Sequence, residues 1–167
     1  MRYTAKAGTS GLGVDEADSL REPLEIILRG LGLELIELSI ARHKARKGLP
    51  GTVQIRVVVY SDGSLRIDDC SRAHRALLPR LELAFSGQNL HVEVSSPGID
   101  RLIKDGVEAV HYRGRGVRCY RTDISDWSVG ILEAVNEKGI VLKGREGIVY
   151  LDYEIIAKAK LDSSQEV

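Results

Sequence analysis

Apolar residues first recur at helical spacing at Leu20, Leu24, Ile27, Leu28 and Leu31, positions that share one face of a helix. Pro23 suits a first turn, where a missing N–H costs nothing. Asp15, Glu16 and Asp18 lie upstream, where negative charge favours a helix start, and Gly30 and Gly32 offer the stop. Alternation then takes over. Leu33, Leu35, Ile36, Leu38 and Ile40 stand against Glu34, Glu37 and Ser39 with one slip, which predicts a strand over Glu34–Ile40. Val53–Tyr60 alternates weakly and is rich in β-branched residues, a second strand. The stretch Arg42–Gly51 ends in Gly48-Leu49-Pro50-Gly51 and reads as a long hairpin loop, and Ser61-Asp62-Gly63 carries turn chemistry. Asp68 is the expected N-cap of a second helix with Asp69 in its first turn. Cys70, Ala73, Leu77, Leu78 and Leu81 form its apolar face, and Pro79 should kink or shorten it. Leu90, Val92 and Val94 give a third strand. Helix, strand, strand, helix, strand makes a compact α/β layer unit.

The texture changes beyond Asp105. Gly116–Arg121, Trp127–Val135, Gly139–Leu142 and Gly147–Leu151 are short and strand-like, separated by turn residues at 123–126, 136–139 and 144–147. Such close spacing reads as a small barrel. The expected fold is therefore α+β: an N-terminal α-β-β-α-β domain over residues 15–99, then a linker and a small all-β barrel over residues 100–161. Residues 1–14 and 162–167 are expected to be tails, the first disordered because Gly8, Gly11 and Gly13 sit among small polar neighbours.

Composition narrows the function classes. Aromatic residues are 5% of the 167, so aliphatic side chains must supply most of the core. Basic and acidic residues balance at 24 each, which argues against a general nucleic-acid coater and turns attention to local clusters. The cationic start at Met1–Val14 has no apolar run behind it, as a secretory signal would, and no stretch of about 18 apolar residues is present. Cys70 and Cys119 lack any CxxC or CxxH spacing and read as reduced thiols of a cytoplasmic protein. His43, His74, His91 and His111 show no ligand spacing, so neither a metal nor any other cofactor is expected.

The most specific phrase is Glu93-Val94-Ser95-Ser96-Pro97-Gly98-Ile99-Asp100-Arg101. Three further pieces follow the same order: Gly32-Leu33-Glu34-Leu35, Leu65-Arg66-Ile67-Asp68-Asp69-Cys70, and Ile155 through Leu161. Together they resemble the ribosome maturation factor RimP family over roughly Leu20–Leu161. Where that family usually has Pro-Leu after Asp-Arg, Leu102-Ile103 stands here. The resemblance implies an SH3-like (Sm-like) C-terminal barrel and binding to the immature small (30S) ribosomal subunit. Its expected partners are 16S rRNA and a small-subunit ribosomal protein, with no membrane and no catalytic residue, and the protein itself is expected to be a monomer. The helix and strand order of the first domain is loosely KH-like, an analogy of fold alone. Gly48–Gly51 matches the GxxG of KH loops but joins two strands rather than two helices.

Two cationic clusters are candidate contacts. Arg42, Lys44, Arg46 and Lys47 contain no acid among them and suit phosphate contact, against the plainer reading of a solvated hairpin tip. Arg113, Arg115, Arg118 and Arg121, with Tyr112 and Tyr120 beside them, suit phosphate or base contact, against a charged outer face. On a strand their alternation would bring several cations to one face. Ser95, Ser96, Pro97 and Gly98 read as a rigid turn rather than a nucleophile, because no base is in sight. Asp100 and Arg101 are expected to pair at the domain junction or meet a partner. Asp68 and Asp69 are explained by helix capping. The alternatives are an Sm-like RNA chaperone acting as a ring and an rRNA-processing nuclease, which lacks a credible cluster of carboxylates or histidines.

Overall fold

The computed structural model describes residues 12–44, 51–61 and 65–166, and its first helix, α1, spans Leu12–Arg29. That start takes Leu12–Val14 out of the expected tail, most of which lies outside the described residues. Pro23 therefore sits inside the helix rather than in its first turn. Its ring removes the donor that would reach the Ser19 carbonyl, a loss of about 3 kcal/mol in a helix interior. The helix continues upstream because Leu20, Leu24 and Leu28 are buried on one stripe that runs across the proline. It stops as the glycines predict. Gly32 adopts φ 73°, its N–H bonds the Arg29 carbonyl at 3.0 Å, and the Leu33 N–H reaches back to Leu28 at 2.9 Å. This is a Schellman ending, closed by burial of both Leu28 and Leu33.

The strands β1 (Glu34–His43), β2 (Thr52–Tyr60) and β3 (Asn89–Ser95) form one sheet in the order β1-β2-β3. β1 runs antiparallel to β2, and the slip in its alternation is a β-bulge between Leu35 and Glu37. The extra residue, Ile36, reverses the parity. Leu33 and Leu35 before the bulge, and Leu38 and Ile40 after it, accordingly all join the same apolar cluster. β3 is parallel to β2, which demands a crossover, and α2 (Ile67–Ala84) supplies it. The N-cap of α2 is Arg66, not Asp68. Asp69 caps from inside, its carboxylate accepting the Arg66 N–H at 2.9 Å, so the acid one residue further on does the work assigned to Asp68. Pro79 does not shorten the helix, which runs on to Ala84. Leu24, Leu28, Ile55, Val57, Val59, Ala73, Leu77 and Leu81 lie fully buried in the core between helices and sheet.

A second compact unit begins at Gly98, the first ending at Pro97. Its strands are β4 (Leu102–Ile103), β5 (Gly116–Arg121), β6 (Asp126–Val135), β7 (Gly139–Gly144), β8 (Gly147–Asp152) and β9 (Ile156–Leu161). They form an antiparallel sheet in the order β4-β9-β5-β6-β7-β8. Four of these strands match the expected segments. β4 and the short helix α3 (Gly106–Ala109), followed by a 3-10 turn over Val110–Tyr112, were not foreseen. Val117, Cys119, Leu132, Ile140, Leu142, Leu151, Ile156, Ala159 and Leu161 face the interior.

The expected C-terminal tail is instead folded over the start of β5. A 3-10 turn spans Ser163–Gln165, and Asp162 donates its backbone N–H to the Gly116 carbonyl at 2.8 Å. The Glu166 carboxylate accepts from Arg115 Nε at 2.6 Å and from the Gly116 N–H at 3.0 Å. Partial burial acts to raise the Glu166 pKa, but these two donors outweigh it and hold the group below its ordinary value.

Burial pushes the Cys119 thiol up to about 12, while Cys70 is raised less, by partial burial and the neighbouring Asp69. A raised folded-state pKa means that the neutral thiol of Cys119 contributes stability that is lost as pH climbs from about 9 towards 12. At pH 8 a disulfide reagent is expected to modify Cys70 in the native protein and Cys119 only after denaturation. Equal rates for the two thiols would contradict the burial of β5.

Candidate nucleic-acid interface

The signature phrase straddles the end of β3. Ser95 is the last residue of that strand, opposite Val58, and Ser96 and Pro97 continue outside regular structure. Gly98 takes φ 80°, a conformation that strains any residue with a Cβ, so the Pro-Gly pair makes a turn for backbone reasons. The two charged residues that follow are both engaged inside the second unit. Asp100 accepts from Arg118 at 2.9 Å. Arg101 pairs through Nε with the Glu108 carboxylate, both side chains being almost enclosed at 12% and 8% exposure.

Glu108 is the hub of this corner. Its second oxygen accepts the Lys104 N–H at 3.0 Å, and the Tyr112 hydroxyl lies 3.3 Å from the first. Asp105 caps α3 by accepting the Glu108 N–H at 2.8 Å. A buried carboxylate is tolerated only when its lone pairs are met, and here a guanidinium, a main-chain amide and a phenol meet them. Tyr112 is wholly buried and is therefore no stacking platform.

The first cationic cluster is only partly within the described residues, since Arg46 and Lys47 lie outside them. Arg42, on β1, donates to Glu16 on α1 and to Gln88 after α2, each at 2.6 Å, with its guanidinium 5.6 Å from the centre of the Phe85 ring. It ties three elements of the first unit together. Lys44 follows β1 and is exposed.

The second cluster does not form one strand face. Arg113 and Arg115 precede β5, the former donating to the Glu133 carbonyl at 3.3 Å and the latter held by Glu166. Arg121 turns to Asp123 in two bonds of 3.0 and 2.5 Å, which raise its pKa and lower that of the acid. Register shifts beside it, between Tyr120 and Arg121 on the β9 side. The acids missing from the cluster in sequence are thus delivered by the fold, from Asp100 and Glu166, and by the adjacent turn, from Asp123.

What the strands assemble instead is a mixed face across β6, β5 and β9. Trp127, Tyr120 and Lys158 are cross-strand neighbours, and Val129, Arg118 and Lys160 form the adjacent row. Tyr120 meets Trp127 edge to face with centroids 5.4 Å apart. Arg118 and Lys158 each place their charge 5.3 Å from the indole centroid, and Lys158 lies 5.7 Å from the Tyr120 ring. Trp127, Lys158 and Lys160 escaped the sequence reading. The signal was present, in Lys158 and Lys160 two apart on a strand, but their nearness to Arg118 depends on pairing between strands distant in the chain.

This face brings three cations and two aromatic rings together. Among the described residues no three of His, Cys, Asp and Glu gather as metal ligands, and no helix is long and apolar enough to cross a membrane. Replacing Arg101 by Ala strands the Glu108 charge in the interior, a loss of about 3–5 kcal/mol for a broken buried pair. Urea unfolding is expected to show it, and a change under about 1 kcal/mol would place the pair at the surface in solution.

Residues 24–100 match the RimP N-terminal domain, a span that takes in all but Leu20 of the first unit's buried core cluster and the signature phrase as far as Asp100. That match supports kinship of the chain with the RimP family of ribosome maturation factors.

Proposed function

We propose that this protein binds immature small (30S) ribosomal subunits, holding 16S rRNA and a small-subunit ribosomal protein in an arrangement that favours assembly. The observation that carries the reading is the RimP N-terminal match over residues 24–100. It acts in the cytoplasm as a monomer, without a cofactor and without catalysing a reaction. We read the first unit as KH-like, from its α-β-β-α-β order, and the second as an SH3-like small barrel, from its run of short antiparallel strands. The linker strand β4 lies along β9 and covers one sheet edge, which supports the monomeric reading.

Contacts to rRNA run through Arg42, Lys44, Arg46 and Lys47, and through Arg113, Arg115, Arg118 and Arg121, with phosphates as the main target. Their ion pairs do not oppose this. Exposed pairs such as Arg118–Asp100, in which the acid is 68% exposed, are weak, and a phosphate can take the place of the carboxylate.

Co-sedimentation with free small subunits, large subunits and intact ribosomes tests the proposal. Binding is expected to free small subunits above the others, and equal pelleting with large subunits would overturn it. Affinity should fall with salt by about 0.7–0.9 log units per log unit for each phosphate neutralised. Alanine at the four positions of either cluster should flatten that slope. The Arg42 change also removes the Glu16 and Gln88 bonds, so circular dichroism must accompany it. A stable hexamer in solution would favour the Sm-like alternative.

A further inference from the structure

The second unit carries one surface whose chemistry exceeds phosphate neutralisation. Resting on the reading of this protein as an rRNA-binding factor, we infer that the β6-β5-β9 face is a binding site for unpaired RNA nucleotides. A base stacks on Trp127 and Tyr120, and Arg118, Lys158 and Lys160 hold the adjoining phosphates.

Three observations converge. The strand register places Trp127, Tyr120 and Lys158 in one row and Val129, Arg118 and Lys160 in the next, with successive rows roughly 7 Å apart along the strands. Rings and charges therefore share a platform as wide as three strands. Trp127 and Tyr120 are only half-buried, whereas Val117 and Cys119 on the opposite side of β5 are buried. The two rings are not spent on the core. Finally, the two rows hold three cations and no acid; the acids that reach Arg118, Asp100 and Asp162, lie outside them. That charge balance fits a polyanion better than a protein surface of mixed sign.

The arrangement also accounts for how the free site is kept. Lys158 and Arg118 rest against the indole, and cation–π contacts at exposed sites are weaker than stacking of a base on an aromatic ring. An incoming base displaces the lysine from the ring, and the freed ammonium turns to the flanking phosphate. Double-stranded RNA offers no such base, because its stacked pairs hide their faces. Selectivity for unpaired segments follows without any reading of base identity.

Trp127 is the chain's single tryptophan, so its emission reports on this face alone. The full-length protein is titrated with a single-stranded oligouridylate and an oligoadenylate of about ten nucleotides, and with a duplex of the same length. Saturable quenching by both single strands and not by the duplex is expected. Trp127→Leu should weaken binding of a labelled strand about tenfold, and Trp127→Phe less, since it keeps a ring. Lys158→Ala should reduce both affinity and salt dependence. Circular dichroism checks each variant's fold, and the wild-type titration stands even if a variant fails to fold. No quenching, or equal quenching by duplex, overturns the site. Quenching by purified small-subunit ribosomal proteins but not by RNA overturns it in favour of a protein contact. Subunit co-sedimentation separates the two readings: pelleting with small subunits but no response to single strands removes this site and leaves the assembly role, whereas loss of both removes both.

Discussion

The second unit depends on a carboxylate placed where burial opposes its charge. Glu108 is the one charged side chain in the buried set of described residues, and its desolvation is offset only while Arg101, the Lys104 amide and the Tyr112 hydroxyl stay in place. Each partner fixes something else. Arg101 brings its own carbonyl to the Leu161 N–H at 3.0 Å and sets the following Leu102 and Ile103 as β4 against β9. Asp100, one residue earlier, is thereby aimed at Arg118, whose guanidinium lies over Trp127. The last two residues of the signature phrase thus connect a buried charge to the cation–aromatic face.

The same geometry explains how a chain of zero net charge gathers cations on one sheet face. Arginines are held to acids that arrive from elsewhere in the fold, as in Arg115 with Glu166 and Arg118 with Asp100. Such exposed pairs add little stability. Lys158 and Lys160 have no acid in their rows and give the sheet face its excess positive charge.

Much of this architecture was legible along the chain. The helical stripe of Leu20, Leu24 and Leu28, the glycine stop at Gly32 and the four short strands after Gly116 follow from local periodicity and turn chemistry. The slip at Leu35-Ile36 was visible as well, and its meaning as a bulge needed only the partner strand. What stayed hidden depends on distance in the chain. Pro23 looked like part of a first turn because proline is favoured there, and no apolar period upstream of Leu20 marked the helix's start at Leu12. Asp68 looked like a cap, two residues past the true N-cap Arg66, because the capping carboxylate comes from Asp69 inside the first turn. A two-residue strand such as β4 has no period to detect. The arginine cluster seemed free of acids because Asp100 and Glu166 reach it only through the fold, and Trp127 joined it only through cross-strand pairing.

Native-state hydrogen exchange on Arg101→Ala tests the central claim most directly. If Arg101 anchors the start of the second unit through Glu108, the amides of Lys104 and Leu161 lose protection in the variant, while those of Ile55 and Val57, in the middle of the first unit's sheet, keep theirs. Unchanged protection at Lys104 and Leu161, or an equal loss in both units, would contradict it.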